Sequence, residues 1–499
     1  MHPVLAAFHF SPIDTVIIVL YIAGCTGLGA WMGSKSKELK GYFLGESNIP
    51  AWAVMISIVA TETSTATFLS VPGIAYRGDF TYLQLPLGYL VGRFLVAFLL
   101  LPSYFRGEIF TAYEVLQNRF GGATRTTASI LFLLTRVLAD GLRLYLAARV
   151  LQVITGGSIE LSILAVGLTT IVYTFLGGMK AVIWIDVIQF HIYIIGALIS
   201  LSILVGKLPG GWPELWSVAS AAHKFRMFNF AFDPSNAFTF WAGLFGGMVL
   251  NTATHGADQL MVQRYLSARS QGQAAGALIA SGFVVFAQFA LFLLIGAGLF
   301  VFFREFPPTD VGGKLAKDQE FAYFIVHNLR TPLLGIVVAA IFSAAMGTLS
   351  GSLNASAATT VNDIYRPLVP NAEDRHLLWV SRGLTAVWGL GQMAMALGAT
   401  QLQENVVVNA LAIASFTTGI VLGLFLLGIF TKVPQPAALA GLLVGLAAVS
   451  FAKFGTQLAW PWYALIGSST VVSTGVLVDT LFLGGEPSAE PKPVLESEL

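Results

Sequence analysis

The feature that most constrains this chain is the recurrence of apolar stretches of about twenty residues or more along nearly its whole length. A stretch of that kind crosses the hydrocarbon of a bilayer as a helix. Inside the bilayer every backbone N–H and C=O needs an internal partner, so repeated spans dictate helices packed on helices. About thirteen segments qualify: 12–33, 50–76, 80–105, 126–155, 160–178, 181–206, 235–259, 273–303, 333–361, 378–400, 405–430, 435–455 and 460–484. The expected fold class is therefore an all-α polytopic membrane protein. The chain's 499 residues are 56% hydrophobic and 11% charged, which excludes a water-soluble enzyme as the expectation. The first apolar run follows no basic leader, so it reads as a retained helix and not a cleaved signal.

Orientation follows from the short loops. Lys35, Lys37, Lys40, Arg106, Arg119, Arg125, Lys180, Arg264, Arg269, Arg366, Arg375, Arg382 and Lys432 fall on one side. The positive-inside rule makes that side cytoplasmic, with the N-terminus outside and the C-terminus inside a plasma (inner) membrane. A net charge of +1 gives no electrostatic case for nucleic acid as a partner. The single cysteine, Cys25, excludes a disulfide framework, and a GxxxxGK[ST] phosphate loop is absent. Nucleophile–base and metal-ligand spacings are missing too, so the chain is not expected to be an enzyme or to hold a cofactor.

Leaving out the first span and the last two, ten remain, and they divide five and five. An odd number of crossings per half gives the halves opposite topology. The expected organisation is 1–49 (extra helix and loop), 50–206 (first repeat), 207–234 (outer loop), 235–430 (second repeat), 431–484 (two extra helices) and 485–499 (disordered tail). The first span of each half carries polar residues at mid-membrane, Thr61–Thr65 and Asn251–His255. Paired interruptions of this kind point to a transporter's binding site. Lone His255, without a spaced partner, reads as a hydrogen-bonding residue.

From Ser343 the span at 333–361 turns small and hydroxylated, and Ala344, Thr348 and Ser352 share one helical face. Two readings stand: close helix packing, or oxygens offered to a cation. Arg136, Asp140 and Arg143 likewise share a face, spaced by four and three. They form either an internal packing network or a site for an anion. Arginines at 93, 136 and 143 oppose Glu62, Asp140 and Asp186. If a cation claims one of the acids, one arginine is left for an anionic ligand, and guanidinium holds carboxylate bidentately.

Five motifs bear on family. They are Gly177-Gly178-Met179-Lys180-Ala181-Val182-Ile183-Trp184-Ile185-Asp186 with Gln189, Asp258-Gln259 through Val262-Gln263-Arg264-Tyr265, Tyr113-Glu114-Val115-Leu116 with Arg119-Phe120-Gly121, Gly423 through Phe430, and the hydroxylated helix ending in Asn362-Asp363-Ile364-Tyr365. Taken in chain order they resemble the sodium:solute symporter family, leaning to its monocarboxylate, anion and vitamin branch. The resemblance implies a fold like the leucine transporter's and alternating access. It implies a sodium site on the carbonyls of Ala60, Thr63 and Ala344 and on hydroxyls at 347 and 348. Position 347 is glycine here, so Thr348 alone supplies a hydroxyl, and Gly347→Ser is expected to lower the sodium requirement. Glycine at 347 and 351 argues against a second sodium site. Asp186 falls near the inner end of the site, facing a cation or a basic partner. Ser64 and Thr67, with Tyr82 and Gln84, are expected in the substrate cavity. Arg143 is the first candidate for the solute, supported by Arg136 and Asp140, with Glu62 pairing with Arg143 when the site is empty. The function so implied is sodium-coupled symport of a small organic solute, a carboxylate or other small anion, by a monomer in the lipid bilayer. The alternatives are a proton-coupled or uncoupled carrier of a neutral solute such as a sugar, and a membrane sensor that does not transport.

Overall fold

The computed structural model describes residues 11–33, 38–107, 109–308, 315, 319–402 and 404–483, with side chains at 66, 153–154 and 404–416 left aside. Lys35, Lys37 and the 485–499 tail lie outside the described residues. Those described are helical, with one isolated bridge (Ile49 to Ala268) and no strand. Among them seven helices are long and apolar enough to cross a membrane, and eight if one bent pair counts as a span. Gly122–Thr155 fails that test although it is 34 residues long. It carries Arg125, Arg136, Asp140, Arg143 and Arg149, charges that lower its hydropathy.

Leu333–Thr359 forms the centre, buried along almost every residue. It packs most extensively on Ile159–Lys207, and small side chains let the two backbones approach. Ile159–Lys207 covers two of the expected spans. It is interrupted at Gly178, whose φ of 58° favours glycine. A Cβ there would strike the Tyr42 backbone and ring.

The first expected break is present. Ala51–Glu62 and the helix Thr65–Arg77 are joined through Thr63 and Ser64, both extended, and the axes bend by 63°. Hydroxyls compete locally for backbone partners. Ser64 caps the second half, Thr65–Arg77, by accepting from the Thr67 N–H, and Thr63 donates back to the Val59 carbonyl at 2.9 Å. The second break lies elsewhere than expected. Gly247–Gly256 runs unbroken through Asn251–His255, and the chain turns only at Ala257 and Asp258. Asp258 starts the next helix by capping the Leu260 N–H. The hydroxyls of Thr252 and Thr254 donate to their own helix at Met248 and Leu250, so these polar residues do not open it.

The segment 207–234, expected as an outer loop, contains the helix Gly211–Ala221, and the stretch before the span at 333–361 contains Glu320–Asn328. Lys224 follows the first of these and donates to the carbonyls of Tyr76 and Gly78 at 2.7 and 2.8 Å, over the Phe300 ring. It thereby caps the C-terminal end of the broken helix, where the dipole favours a cation. Lys224→Met is expected to lower the Tm of the detergent-solubilised protein. Losing a charged donor to two part-buried carbonyls costs about 1–3 kcal/mol.

Candidate functional site

A cavity of about 340 Å³ opens beside the break at Thr63–Ser64, a volume suited to a small solute. Its lining includes Glu62, Ser64 and Thr67 from the broken helix, Tyr82, and Arg136 and Arg143 from Gly122–Thr155. Asn251, Thr254 and Asp258 close it from the second half of the chain. Six of the residues expected at the substrate site, Glu62, Ser64, Thr67, Tyr82, Arg136 and Arg143, therefore line this cavity. Gln84 is not among them. Its amide donates to the Thr81 and Phe238 carbonyls and accepts from the Asn229 N–H, which ties down the N-terminal end of its helix. Asp140 is fully buried behind the wall, where it receives Arg136, Arg143 and the Ser352 hydroxyl.

The ion pairs differ from the expectation in one important respect. Glu62 pairs with Arg93 and with His255 Nε2, not with Arg143. His255 Nδ1 in turn lies 2.7 Å from the Tyr265 hydroxyl, and Arg93 also donates to Ser281. Arg136 spans Asp140 and Asp258, the latter at 2.8 Å. Arg143 has Asp140 at 2.5 Å and is the least enclosed, its side chain 40% exposed. Arg264, assigned from sequence to a cytoplasmic loop, is fully buried and pairs with Asp186 at 3.0 Å. With His255 neutral, Arg93, Arg136, Arg143 and Arg264 balance Glu62, Asp140, Asp186 and Asp258. No arginine is left over once Asp258 and Arg264 enter the count.

The region expected to hold a cation is built around Gly347. A Cβ added there would lie 2.9 Å from Gln189 Oε1, 3.5 Å from the Ala60 carbonyl and 3.6 Å from Asp186 Oδ1. Asp186 Oδ2 accepts from Ser57 at 2.5 Å and from Arg264, whereas Oδ1 has no hydrogen-bond partner among the described residues. Gln189 donates through Nε2 to Tyr21, and its Oε1 is equally without a partner. Buried polar atoms are rarely left so, and two unsatisfied oxygens beside a backbone carbonyl make a cluster that a hard cation would satisfy. Thr348 donates to the Thr61 carbonyl at 3.1 Å, which leaves its oxygen lone pairs free to accept. Thr63 lies on the extended break, and Ala344 is buried on the facing helix. Thr65 ties these elements together by donating to the Ile341 carbonyl.

Position 351 has a separate explanation. A Cβ on Gly351 would meet the Arg264 guanidinium, 2.9 Å from Nη1 and closer still to Nη2. Its missing hydroxyl is the space that admits Arg264. Gln189 and Arg264 escaped sequence reasoning as site residues. The signal for Gln189 was its spacing, three residues after Asp186 on one helical face.

Comparison with known proteins gives a consistent picture. The family description "Sodium:solute symporter family" matches residues 42–445. The chain is 30% identical over 464 residues to the human sodium/iodide cotransporter, covering 91% of this chain and 71% of that protein. It is 32% identical over 447 residues to the sodium-dependent multivitamin transporter of Oryctolagus cuniculus, covering 88% and 69%. A solved Na+-coupled sialic acid symporter, substrate-bound and outward-open, superposes with a TM-score of 0.88 at 28% identity, covering 95% of this chain and 98% of that one.

Proposed function

This chain belongs to the sodium:solute symporter family, and from that premise we propose that it carries a small organic anion inward, coupled to sodium. Membership itself supports sodium-coupled symport of a small solute through a multi-pass membrane protein. The observation that carries the finer reading is charge balance. The buried charges around the cavity cancel before anything binds. One sodium then adds an uncompensated positive charge in a region poor in water, and one monoanion beside Arg143 restores neutrality. Iodide and sialic acid, named for two of the similar proteins, are an anion and an acid.

In this reading sodium is held by the carbonyls of Ala60, Thr63 and Ala344 and the Thr348 hydroxyl, with Asp186 Oδ1 and Gln189 Oε1 replacing the hydroxyl absent at 347. The solute occupies the cavity between Ser64, Thr67, Tyr82 and Arg143, with Arg136, Asp140 and Glu62 holding the arginines and the wall in place. We read the chain as a thirteen-span, five-plus-five inverted repeat with the domain limits given above, the N-terminus outside and the C-terminus cytoplasmic, working as a monomer in the plasma (inner) membrane. The bend at Thr63–Ser64 and the turn at Ala257–Asp258, one in each half, support that arrangement.

Uptake of carboxylates into proteoliposomes, measured against sodium concentration, tests the coupling. Sodium should activate uptake, and Thr348→Ala should raise the sodium needed for half-activation. Gly347→Ser is now expected to raise it as well, because its side chain would meet Gln189 Oε1. Uptake indifferent to sodium in wild type and both variants overturns sodium coupling. A stimulatory pH gradient in its place points to proton coupling, and activation by sugars alone points to a neutral solute.

A further inference from the structure

A second cavity, of about 380 Å³, lies on the outer surface of the bundle, away from the solute site. One wall is the end of the span Phe80–Tyr104, where a π-helical turn at Val96–Leu100 leads into Pro102. That turn pushes Phe98 outward, 71% exposed, with Leu99 beside it. The opposite wall is Ile429, near the end of Glu404–Phe430, and the floor is the short helix Tyr113–Phe120. The two walls touch through the Tyr104 and Phe425 rings, and both pack on Gly247–Gly256. Gln84–Leu95 rests further on Gln271–Glu305, and Glu404–Phe430 on Gly122–Thr155 and Trp462–Phe482. The groove is therefore a seam on the lipid-facing surface.

Its chemistry is divided by depth. Toward the bilayer it is apolar, walled by Phe98, Leu99 and Ile429. At the other end stand Arg106, which is exposed, and Arg119, which donates to the carbonyls of Thr431 and Val433 at 2.9 and 3.1 Å and stacks on Phe120. This is the end of the bundle that the distribution of short-loop lysines and arginines assigns to the cytoplasm. An apolar slot of this kind, closed by guanidinium groups at headgroup depth, matches one ligand class.

We propose that this groove binds an anionic phospholipid, its phosphate at Arg106 and Arg119 and one acyl chain along Phe98, Leu99 and Ile429. A free phosphate would use the arginines but leave the apolar walls unfilled. A zwitterionic lipid would fill the walls, but its own cation would offset the attraction to the arginines. Bound there, the lipid lies along both the Phe80–Tyr104 span and Glu404–Phe430.

The test uses the full chain, purified in detergent, with native mass spectrometry and thermal shift as readouts. Phosphatidylglycerol, phosphatidylcholine with the same acyl chains, and inorganic phosphate are compared. Wild type should retain phosphatidylglycerol in preference to phosphatidylcholine and be unaffected by phosphate. Arg106→Gln should weaken phosphatidylglycerol retention about fivefold, the effect of one basic side chain at an anionic surface. Ile429→Trp, which fills the slot and leaves both arginines, should weaken retention of that lipid as well. Equal retention of the two lipids by wild type, or stabilisation by phosphate alone, overturns the proposal. So does undiminished phosphatidylglycerol binding in both variants.

Discussion

Asp186→Asn is expected to cost about 3–5 kcal/mol of stability and to remove the response of the remaining folded protein to sodium. The two effects belong to different oxygens of one carboxylate. Oδ2 accepts from Ser57 and Arg264, in a pair where both partners are fully buried. Losing the negative charge leaves the Arg264 guanidinium uncompensated, which is the expensive way to break a buried pair. Oδ1 faces Gly347 with no hydrogen-bond partner among the described residues, and there the proposed cation would sit. The double variant Asp186→Asn/Arg264→Gln separates the two roles, since it removes both charges and should recover much of the lost stability. It should not recover the sodium response. For wild type, sodium at about a hundredfold excess over its dissociation constant should add about 2.7 kcal/mol by mass action. Gln189→Leu gives the converse variant, with the ion pair intact and the sodium stabilisation reduced. A double variant that melts later in sodium, as wild type should, would place the cation elsewhere.

How much of this was legible in the sequence depends on which physical signal each residue carries. Seven spans, or eight with the bent pair, were legible because apolar length is a strong signal, and the break at Thr61–Thr65 because hydroxyls and a carboxyl cluster where lipid permits none. The same cue misplaced the second break. Thr252 and Thr254 satisfy themselves within their own helix, so a polar cluster by itself does not unwind one. Arg264 was misread because arginines after a span usually mark the cytoplasmic edge. Its burial depends on Gly351, some ninety residues away in sequence, which leaves room for the guanidinium. Glycine at 347 and 351 looked like the loss of ligands. In the fold each is the space into which another polar group reaches. Asp140 pairs with both Arg136 and Arg143, as their shared helical face suggests, but the second counter-ion of Arg136 carries no such signal, because Asp258 is brought to it by a tertiary contact that no spacing rule encodes.

The same pairings determine which arginine should meet the solute. Arg93 is committed to Glu62 and Ser281, Arg264 to Asp186, and Arg136 to both Asp140 and Asp258. Arg143 shares Asp140 with Arg136, touches it through Nη1, and lines the cavity with its side chain partly exposed. It can turn toward a ligand while Asp140 keeps Arg136 and Ser352. Arg143→Lys retains the charge but loses the planar fork, and should weaken binding of a carboxylate solute by about 1–3 kcal/mol. Arg143→Gln should weaken it further, yet leave the corresponding amide bound nearly as in wild type. Arg136→Gln is the control. It strands Asp258 and leaves Asp140 with one cation fewer, so it should lower stability and impair acid and amide alike. Calorimetry with the acid and its amide, in saturating sodium, reads all three variants. If both Arg143 variants bind the acid as wild type does, Arg143 only buttresses Asp140. A neutral solute, a sugar or polyol held by Ser64, Thr67 and Tyr82, then becomes the better reading of the cavity.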